Sequence, residues 1–203
     1  MVFWDFDGVI KETVKLKGEA FADLFFDNSQ ELAVKIREHH ALHGGVSRFE
    51  KIPLYLRWAG MSQDSKNVRR LCEKYSKLVF QKVLEAPWVP GVQELLRCNP
   101  WQQQFYLVTA TPQTEMEAIL AALDLTVVFK GVFGAPVKKT DAILRILEAS
   151  GMPKDLCLLI GDSQTDKQAA SIANIPFLLR EHFDNLELHS DRSITRVANF
   201  ISL

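Results

Sequence analysis

Residues 1–10 read MVFWDFDGVI, in which an apolar run is followed by two aspartates and a glycine, Asp5, Asp7 and Gly8. The apolar residues predict a short buried strand over residues 1–6, and Gly8 predicts a turn directly after it. Asp5 and Asp7 are two positions apart, and side chains with this spacing on a strand point to the same face. We therefore expect both carboxylates to face one cleft at the carboxyl end of the first strand.

The chain after Pro87 alternates between short apolar runs and segments with helical periodicity. The pattern predicts strands over residues 105–109, 127–129, 156–160 and 176–179, with helices in the connections. Such an alternation with short connections favours a parallel sheet that is covered by helices on both faces. The fold class expected is therefore α/β, with a Rossmann-like, doubly wound parallel sheet as its core.

Residues 14–86 differ from the rest because they show helical periodicity and no convincing strand. Ser47 and Glu50 have the spacing of a capping box, and a long apolar stripe runs from Val68 to Val83. This predicts an all-helical cap domain over residues 14–86, inserted into a core domain formed by residues 1–13 and 87–203.

Three of the predicted strands end in polar residues, namely Asp5, Thr109 and Asp162. Ligands of open parallel sheets bind outside the carboxyl ends of the strands, so these side chains are candidates for one site. Four of the aspartates, Asp5, Asp7, Asp162 and Asp166, form a dense negative cluster, in which each like-charge pair at ~4 Å costs on the order of 4 kcal/mol. A hard divalent cation with oxygen ligands, such as Mg²⁺, would relieve that repulsion.

Several of these residues also have a purely structural interpretation. Asp166 has capping-box spacing to Ser163, so it is also a candidate helix cap. Thr109 is also an ordinary β-branched strand residue. Lys138 and Lys139 begin a predicted helix at its positive end, which is unfavourable for a cation. They are either a solvated pair or, because they break a local rule, part of a site that binds an anion.

The bulk composition restricts the partners and the compartment. The 203 residues carry a net charge of −1, which gives no general attraction to nucleic acid or to anionic membranes. No segment reaches the roughly 18 apolar residues of a membrane-spanning helix. Three cysteines stand far apart in apolar surroundings, as expected of buried thiols in a reducing compartment. We expect a cytoplasmic monomer or homodimer.

Four stretches, in chain order, resemble the motifs of the haloacid dehalogenase superfamily, in its phosphatase branch with a helical cap. The first motif is the Asp-Phe-Asp-Gly-Val stretch at residues 5–9, and the second contains Thr109. The third is best matched by Lys139, with Lys138 as the alternative register, and the fourth is the stretch from Gly161 to Asp166. The resemblance covers essentially the whole chain, although its cap half is much less specific.

The resemblance implies a role for each motif residue. Asp5 would attack phosphorus and form an aspartyl-phosphate, and Asp7 would act as general acid and then as general base. The phosphoryl oxygens would be held by Thr109, Ala110 and Lys139. The implied ligands of Mg²⁺ are the Asp5 carboxylate, the Asp7 backbone carbonyl and Asp162, with Asp166 as a further ligand or just outside the coordination sphere.

The resemblance leaves three functions open. The presence of Asp7 favours hydrolysis of a small phosphorylated metabolite, because a phosphate ester has a leaving oxygen that needs a proton. A sugar phosphomutase also fits Asp7-Gly-Val-Ile with Thr13, but Gly161 before Asp162 and Thr140 after Lys139 fit that branch less well. A non-catalytic protein that binds a phosphorylated ligand is the third alternative.

The predicted cap contributes two further candidate sites. Arg48 lies in a first helical turn, where the resemblance implies contact with the polar end of the substrate. The alternative is a surface arginine or an ion pair with Glu50 or an acid of the core. His39 and His43 have a zinc-compatible spacing beside His40, but no fourth ligand is apparent. A solvated helix end or a contact with substrate is the preferred interpretation of these histidines.

Overall fold

A computed structural model describes residues 1–27 and 29–201 of the chain. Within them a six-stranded parallel sheet forms the centre, with the strand order β3-β2-β1-β4-β5-β6. This confirms the expected doubly wound α/β fold. The strands are β1 (Val2–Trp4), β2 (Phe105–Pro112), β3 (Gly131–Ala135), β4 (Leu158–Gly161), β5 (Phe177–Arg180) and β6 (Thr195–Val197).

Helices fill the connections between the strands. In the described part of the chain they are α1 (Val14–Asp23), α2 (Gln30–Leu42), α3 (Arg48–Trp58), α4 (Ser65–Glu85), α5 (Val92–Cys98), α6 (Gln113–Ala122), α7 (Lys139–Ser150) and α8 (Gln164–Ala173). Two segments of 3-10 helix cover Lys154–Leu156 and Phe183–Ser190. None of the helices in residues 1–27 and 29–201 combines the length and apolar character that crossing a membrane requires.

Both faces of the sheet are buried, as the alternation of side chains along β1 illustrates. Val2 and Trp4 point to one face, in an apolar cluster with residues of α5 and α6, while Phe3 points to the other face with residues of α7 and α8. The first cluster extends into α1, α2, α3 and α4, through side chains such as Phe21 and Tyr75. These four helices therefore share an apolar core with one face of the sheet.

The interval predicted for the cap, residues 14–86, contains all of α1 to α4 and no strand among its described residues. Ser47 is the N-cap of α3, as its capping-box spacing predicts. The division into a core of residues 1–13 and 87–203 and a separate cap domain stays a prediction, since the shared apolar cluster neither requires nor excludes it.

The prediction misplaced one strand and missed another. Residues 127–129 form a turn in which Val127 is 94% exposed, and the strand lies instead at Gly131–Ala135. Its glycines hid it from sequence patterns, but they are needed where the chain packs closely. A Cβ on Gly134 would lie 2.6 Å from the Thr111 carbonyl oxygen. The strand β6 was not predicted because it is short and largely exposed.

The three cysteines are free. Cys72 and Cys157 are buried, as expected, but Cys98 is exposed at the end of α5, so the expectation of three buried thiols is wrong for that residue.

Candidate active site

The candidate site lies at the carboxyl ends of β1 and β4, where the strand order changes direction. Asp5 follows β1 directly, and Asp162 follows β4 directly. The Asp5 backbone N–H donates to the Ile160 carbonyl at 2.9 Å, which continues the pairing of the two strands to the edge of the sheet. This is the position at which doubly wound sheets form a ligand crevice. The structure thus brings the carboxylates of Asp5 and Asp162 to one edge of the sheet, as the positions of the strand ends in the sequence predict.

Three buried carboxylates meet at this edge. Asp5, Asp162 and Asp166 each offer an oxygen, and these oxygens all lie within 4.8 Å of one another. Lys139 Nζ lies 2.6 Å from Asp5 Oδ2 and 2.6 Å from Asp166 Oδ1. Burial raises the pKa of Asp5 well above its usual range, and Lys139 offsets this effect only in part because the neighbouring carboxylates raise the pKa further. When all three carboxylates are ionised, the cluster therefore holds more negative charge than one lysine neutralises.

The residues of the cluster fit a divalent cation. All three donors are carboxylate oxygens, which are the ligands that Mg²⁺ prefers, and the surplus negative charge is buried. The Asp7 carboxylate is not part of the converging set. Our expectation for Asp7 concerns its backbone carbonyl and stays a prediction, as does the presence of the metal itself.

Asp166 caps a helix and also lies in the acidic cluster. Its Oδ2 accepts from the Ser163 backbone N–H at 3.2 Å and from the Ser163 hydroxyl at 2.5 Å, so the pair caps α8. Its Oδ1 accepts from Lys139 in the cluster. One oxygen thus fixes the helix and the other faces the site, and the two interpretations do not compete.

Asp162 is held by residues that the sequence analysis missed. Asp162 Oδ2 lies 2.9 Å from His182 Nε2, and its backbone carbonyl accepts from the Asn185 side chain at 2.7 Å. Burial raises the pKa of Asp162, and the hydrogen bond from His182 limits the rise. Neither partner belongs to a motif, and each is about twenty residues from Asp162, so no local pattern could have indicated them.

Gly8 is required at the turn between the two aspartates and α1. Its φ is +71°, and a Cβ there would lie 2.1 Å from Asp162 Oδ2. A side chain at this position would meet both backbone strain and a direct clash with the acidic cluster. The glycine of the first motif is therefore explained by the close approach of the chain to Asp162.

Asp7 lies apart from the acidic cluster, in a setting of its own. Asp7 Oδ1 accepts from the Thr13 hydroxyl at 2.6 Å, and Asp7 Oδ2 accepts from Lys17 Nζ at 2.6 Å and from the Thr111 hydroxyl at 3.3 Å. Burial acts to raise the pKa of Asp7, but Lys17 and Thr13 outweigh it and the pKa lies below its usual value. The two carboxylates of the first motif thus differ in environment, a pattern typical of residues with different catalytic tasks.

Lys17 and Thr111 are the second pair of site residues that the sequence analysis missed. Lys17 Nζ donates to the Thr111 hydroxyl at 2.9 Å as well as to Asp7, and both residues are buried. Lys17 resembled its exposed neighbour Lys15 in the sequence, and Thr111 is 104 residues from Asp7. Only the strand order brings them together.

The residues predicted to hold the phosphoryl group line one cavity of about 570 Å³ beside the cluster; these are Thr109, Ala110 and Lys139. Thr109 lies inside β2, which runs on to Pro112, so the expectation that the strand ends at Thr109 is wrong. Its buried hydroxyl accepts from the Thr111 backbone N–H at 3.2 Å. Lys139 rather than Lys138 reaches Asp5, because Lys138 is the exposed N-cap of α7.

Arg48 has an acid of the core as its partner, one of the alternatives to a substrate contact. Its guanidinium donates to both carboxylate oxygens of Glu115, at 2.8 and 2.5 Å, and to the Ser76 hydroxyl at 2.6 Å. It also stacks over the Tyr75 ring at 4.5 Å. Arg48 does line the cavity that contains Asp5 and Asp7, but its charge is already matched there. Its role in substrate binding stays a prediction.

The three histidines near the end of α2 have protein partners. His39 Nδ1 lies 2.9 Å from the Tyr55 hydroxyl, and His43 Nδ1 lies 2.9 Å from the His39 carbonyl oxygen. His40 is buried against Lys51, with 3.0 Å between His40 Nδ1 and Lys51 Nζ. Among residues 1–27 and 29–201, only the aspartate cluster brings three metal-binding side chains together, so the zinc alternative gains no further ligand.

Solved structures share this fold over nearly their whole length. A mutant of CbbY from Rhodobacter sphaeroides, in complex with xylulose-(1,5)bisphosphate, matches with a TM-score of 0.79 at 17% identity, covering 100% of this chain and 95% of that one. Beta-phosphoglucomutase from Clostridium difficile matches with a TM-score of 0.74 at 17% identity, covering 100% of this chain and 92% of that one. At such identities the likeness concerns the fold alone.

Two proteins named phosphoglycolate phosphatase are similar over part of the chain. Those from Pseudomonas savastanoi pv. phaseolicola and Pseudomonas syringae pv. tomato are each 32% identical in an alignment 95 residues long, which covers 42% of this chain and 34% of each relative. The matched stretch thus spans about a third of the length of these relatives.

The family itself is identified by a match over most of the sequence. Residues 2–179 fit the model of the haloacid dehalogenase-like hydrolases, and this range contains all four motif regions. The fold, the order of the motifs and the position of the acidic cluster agree with that match. The chain belongs to the haloacid dehalogenase-like hydrolase family.

Proposed function

We propose that the protein is a Mg²⁺-dependent phosphatase that hydrolyses a small phosphomonoester through an aspartyl-phosphate at Asp5. The observation that carries this proposal is the placement of Asp5, a buried carboxylate in contact with Lys139 and beside Asp162 and Asp166. Family membership and the names of the Pseudomonas relatives support the same reaction class.

Asp5 is proposed as the nucleophile. One of its oxygens accepts from the Phe6 backbone N–H at 2.7 Å and the other accepts from Lys139, so the carboxylate is fixed in orientation. In the first step a bond would form between a carboxylate oxygen of Asp5 and phosphorus while the bond from phosphorus to the ester oxygen breaks. In the second step water would attack the phosphorus of the aspartyl-phosphate, releasing phosphate and the Asp5 carboxylate.

Asp7 is proposed to move the proton in both steps. It would protonate the departing ester oxygen and then take a proton from the attacking water. Because Lys17 and Thr13 lower the pKa of Asp7, its ionised form is favoured in the resting site. That form is suited to the second step, so the approach of the anionic phosphoryl group would have to favour protonation for the first.

The phosphoryl oxygens would be held by Lys139 and by the Thr109 hydroxyl, with the Ala110 backbone N–H as a further donor. Asp5, Asp162 and Asp166 would hold Mg²⁺. When bound there, Mg²⁺ would offset the repulsion between an anionic nucleophile and an anionic phosphate and stabilise the charge of the transition state. Lys139 contributes to the same neutralisation from the protein side, since it already touches Asp5 and Asp166.

The substrate and compartment are proposed on broader grounds. The cavity that contains Asp5 and Asp7 is small, with a volume of about 50 Å³, which favours a small phosphorylated metabolite over a large ligand. The three free cysteines support a reducing compartment such as the cytoplasm. The alternatives of a sugar phosphomutase and a non-catalytic phospholigand-binding protein make different predictions in the experiment below.

The experiment measures inorganic phosphate released from a panel of small phosphomonoesters, with Mg²⁺ or with EDTA. We expect release that requires Mg²⁺ and that is lost in Asp5→Asn. The exposed Asp155, which lies shortly before β4, provides the matched control Asp155→Asn, which should keep the activity. No release from any ester, or equal release from Asp5→Asn, would contradict the phosphatase. Transfer within a sugar phosphate that needs a bisphosphate primer would identify the mutase.

A further inference from the structure

The cavity in front of Asp5 and Asp7 contains a lysine that none of the proposed catalytic steps uses. Lys51, on α3, lines that cavity together with His40 on α2. Its exposure is only 1%, which is among the lowest of the charged residues described. A fully buried lysine beside a catalytic centre requires an explanation, because burying an ammonium group without a matched partner is costly.

The other cations of this cavity are matched by carboxylates. Lys17 contacts Asp7 at 2.6 Å, and Arg48 contacts both oxygens of Glu115. Lys51 differs, since no carboxylate oxygen of residues 1–27 and 29–201 lies within 4 Å of its Nζ. Its hydrogen-bond partner is a ring nitrogen, His40 Nδ1 at 3.0 Å, and Nζ lies 5.8 Å from the centre of the Phe21 ring.

His40 stays neutral and orients the lysine. Burial and the nearby Lys51 lower the pKa of His40 well below its usual value, and its ring also bonds to the Val14 backbone. With that bond made by Nε2–H, Nδ1 is free to accept from Lys51. Burial and the charge of Lys17 lower the pKa of Lys51 to about 7. The ammonium has three donors, and His40 uses one of them.

We propose that Lys51, oriented by His40, forms a subsite that binds a second anionic group, carboxylate or phosphate, at the far end of the phosphomonoester substrate. The inference deepens the proposed function and rests on it. An anion at Lys51 would supply the matched charge that the protein itself does not, and it would use the free donors of the ammonium. Substrates with two anionic ends would therefore be preferred to those with a neutral end.

The subsite also agrees with the charges of the cavity. Asp5, Asp7 and Asp162 repel any anion, so a substrate with two anionic ends needs a cation at each end. Lys139 contacts Asp5, the proposed nucleophile, and Lys51 lies on α3, a helix of the predicted cap. The cap would thus choose substrates through Lys51, while Arg48 remains paired with Glu115.

The test compares esters that differ only in the far group: 2-phosphoglycolate with a carboxylate, ethylene glycol bisphosphate with a phosphate, and ethyl phosphate with a methyl group. For the wild type we expect kcat/KM for at least one anionic ester to exceed that for ethyl phosphate by roughly tenfold or more. The two anionic esters separate a carboxylate from a phosphate as the group bound. In Lys51→Met this ratio should fall towards one, and Lys51→Gln should give an intermediate ratio because it keeps a donor without the charge.

Lys77, an exposed lysine of α4, provides the matched control Lys77→Met, which should keep the wild-type ratio. A wild type without preference for either anionic ester, or a Lys51→Met variant that keeps the wild-type ratio, would overturn the proposal. Calorimetric binding of the same esters to Asp5→Asn, with and without Lys51→Met, gives a second readout. If no ester is hydrolysed, the phosphatase proposal fails, and the subsite is then decided by these dissociation constants alone.

Discussion

At the scale of single residues, the candidate site contains three buried lysines, each with a different partner. Lys139 lies between two carboxylates, Lys17 contacts Asp7 and Thr111, and Lys51 contacts a neutral histidine. Replacing each lysine should therefore have a different effect. Replacing Lys139 should lower the rate of phosphoryl transfer. Replacing Lys51 should change the choice of substrate and the dependence of stability on pH.

Lys139→Met should lower kcat/KM by about 100-fold or more, because a preorganised cation at the reacting group is typically worth that much. The neighbouring Lys138 is exposed and serves as the control, with Lys138→Met expected to stay within severalfold of the wild type. The pair of variants also decides the register of the third motif. A large loss of activity in Lys138→Met with little loss in Lys139→Met would show that Lys138, and not Lys139, binds the phosphoryl group.

The stability of the protein should depend on pH through Lys51. The pKa of Lys51 is lowered from its ordinary value to about 7 in the folded protein, so from about pH 7 to 10 the unfolded chain binds more protons than the folded one. The free energy of unfolding should therefore rise with pH in this range, relative to Lys51→Met, by about 1 kcal/mol per pH unit. Urea unfolding of both proteins at several pH values measures it. Parallel pH profiles would show that Lys51 does not titrate in this way.

Much of the acidic site could be predicted from the sequence, and its partners could not. The position of aspartates that directly follow buried strands can be predicted, because parallel strands end at one edge of the sheet. Lys17, Thr111 and His182 carry no such signal. They reach the site through contacts across the fold, and each resembles an ordinary surface or strand residue in the sequence.

At the scale of elements, segments with a regular apolar pattern were predicted correctly, whereas a strand that packs closely through its glycines was not. The helix α4 has a long apolar stripe and was predicted well, whereas β3 contains two glycines and was placed at an exposed turn instead. Gly131 lies against the rings of Phe133 and Tyr106, where a Cβ would be crowded. Glycine is depleted in strands in general, so a strand built on such contacts is hidden from propensity arguments.

Gly8→Ala should weaken Mg²⁺ binding at the proposed metal site through the turn after β1. The new Cβ would clash with Asp162 Oδ2, so the Mg²⁺ concentration for half-maximal activity should rise by about tenfold or more, the usual scale for disturbing a metal's supporting residues. Gly151 has a similar φ of +60° with open space around it, and Gly151→Ala controls for backbone strain. Equal Mg²⁺ dependence of the two variants would refute the steric argument.

At the scale of the whole molecule, Arg48 and Glu115 join the two halves of the chain. The pair links α3, within the predicted cap, to α6 beside the sheet, and both side chains are at least 90% buried. The sequence indicated an ion pair with an acid of the core only as an alternative to substrate contact by Arg48. The identity of Glu115 as that acid depends on how the helices pack on the sheet.

Glu115→Gln should lower the free energy of unfolding by about 3 kcal/mol or more, because it leaves the Arg48 charge buried without its carboxylate. The partly exposed pair of Arg37 and Glu19 is the control, and Glu19→Gln should cost less than about 1 kcal/mol. Denaturant unfolding measures both. Similar costs for the two variants would mean that the buried pair contributes no more than a surface pair.

The central claim is that Asp5 carries the phosphoryl group during turnover. The most direct measurement uses Asp7→Asn, which should slow the second step more than the first when the leaving group is one that needs no proton, such as p-nitrophenolate. After incubation with p-nitrophenyl phosphate and Mg²⁺, the protein is quenched in acid, and its peptides are analysed by mass spectrometry. The account predicts one phosphoryl group on Asp5, absent without Mg²⁺. A phosphoryl group on another residue, or release of nitrophenolate without any modification of Asp5, would contradict it.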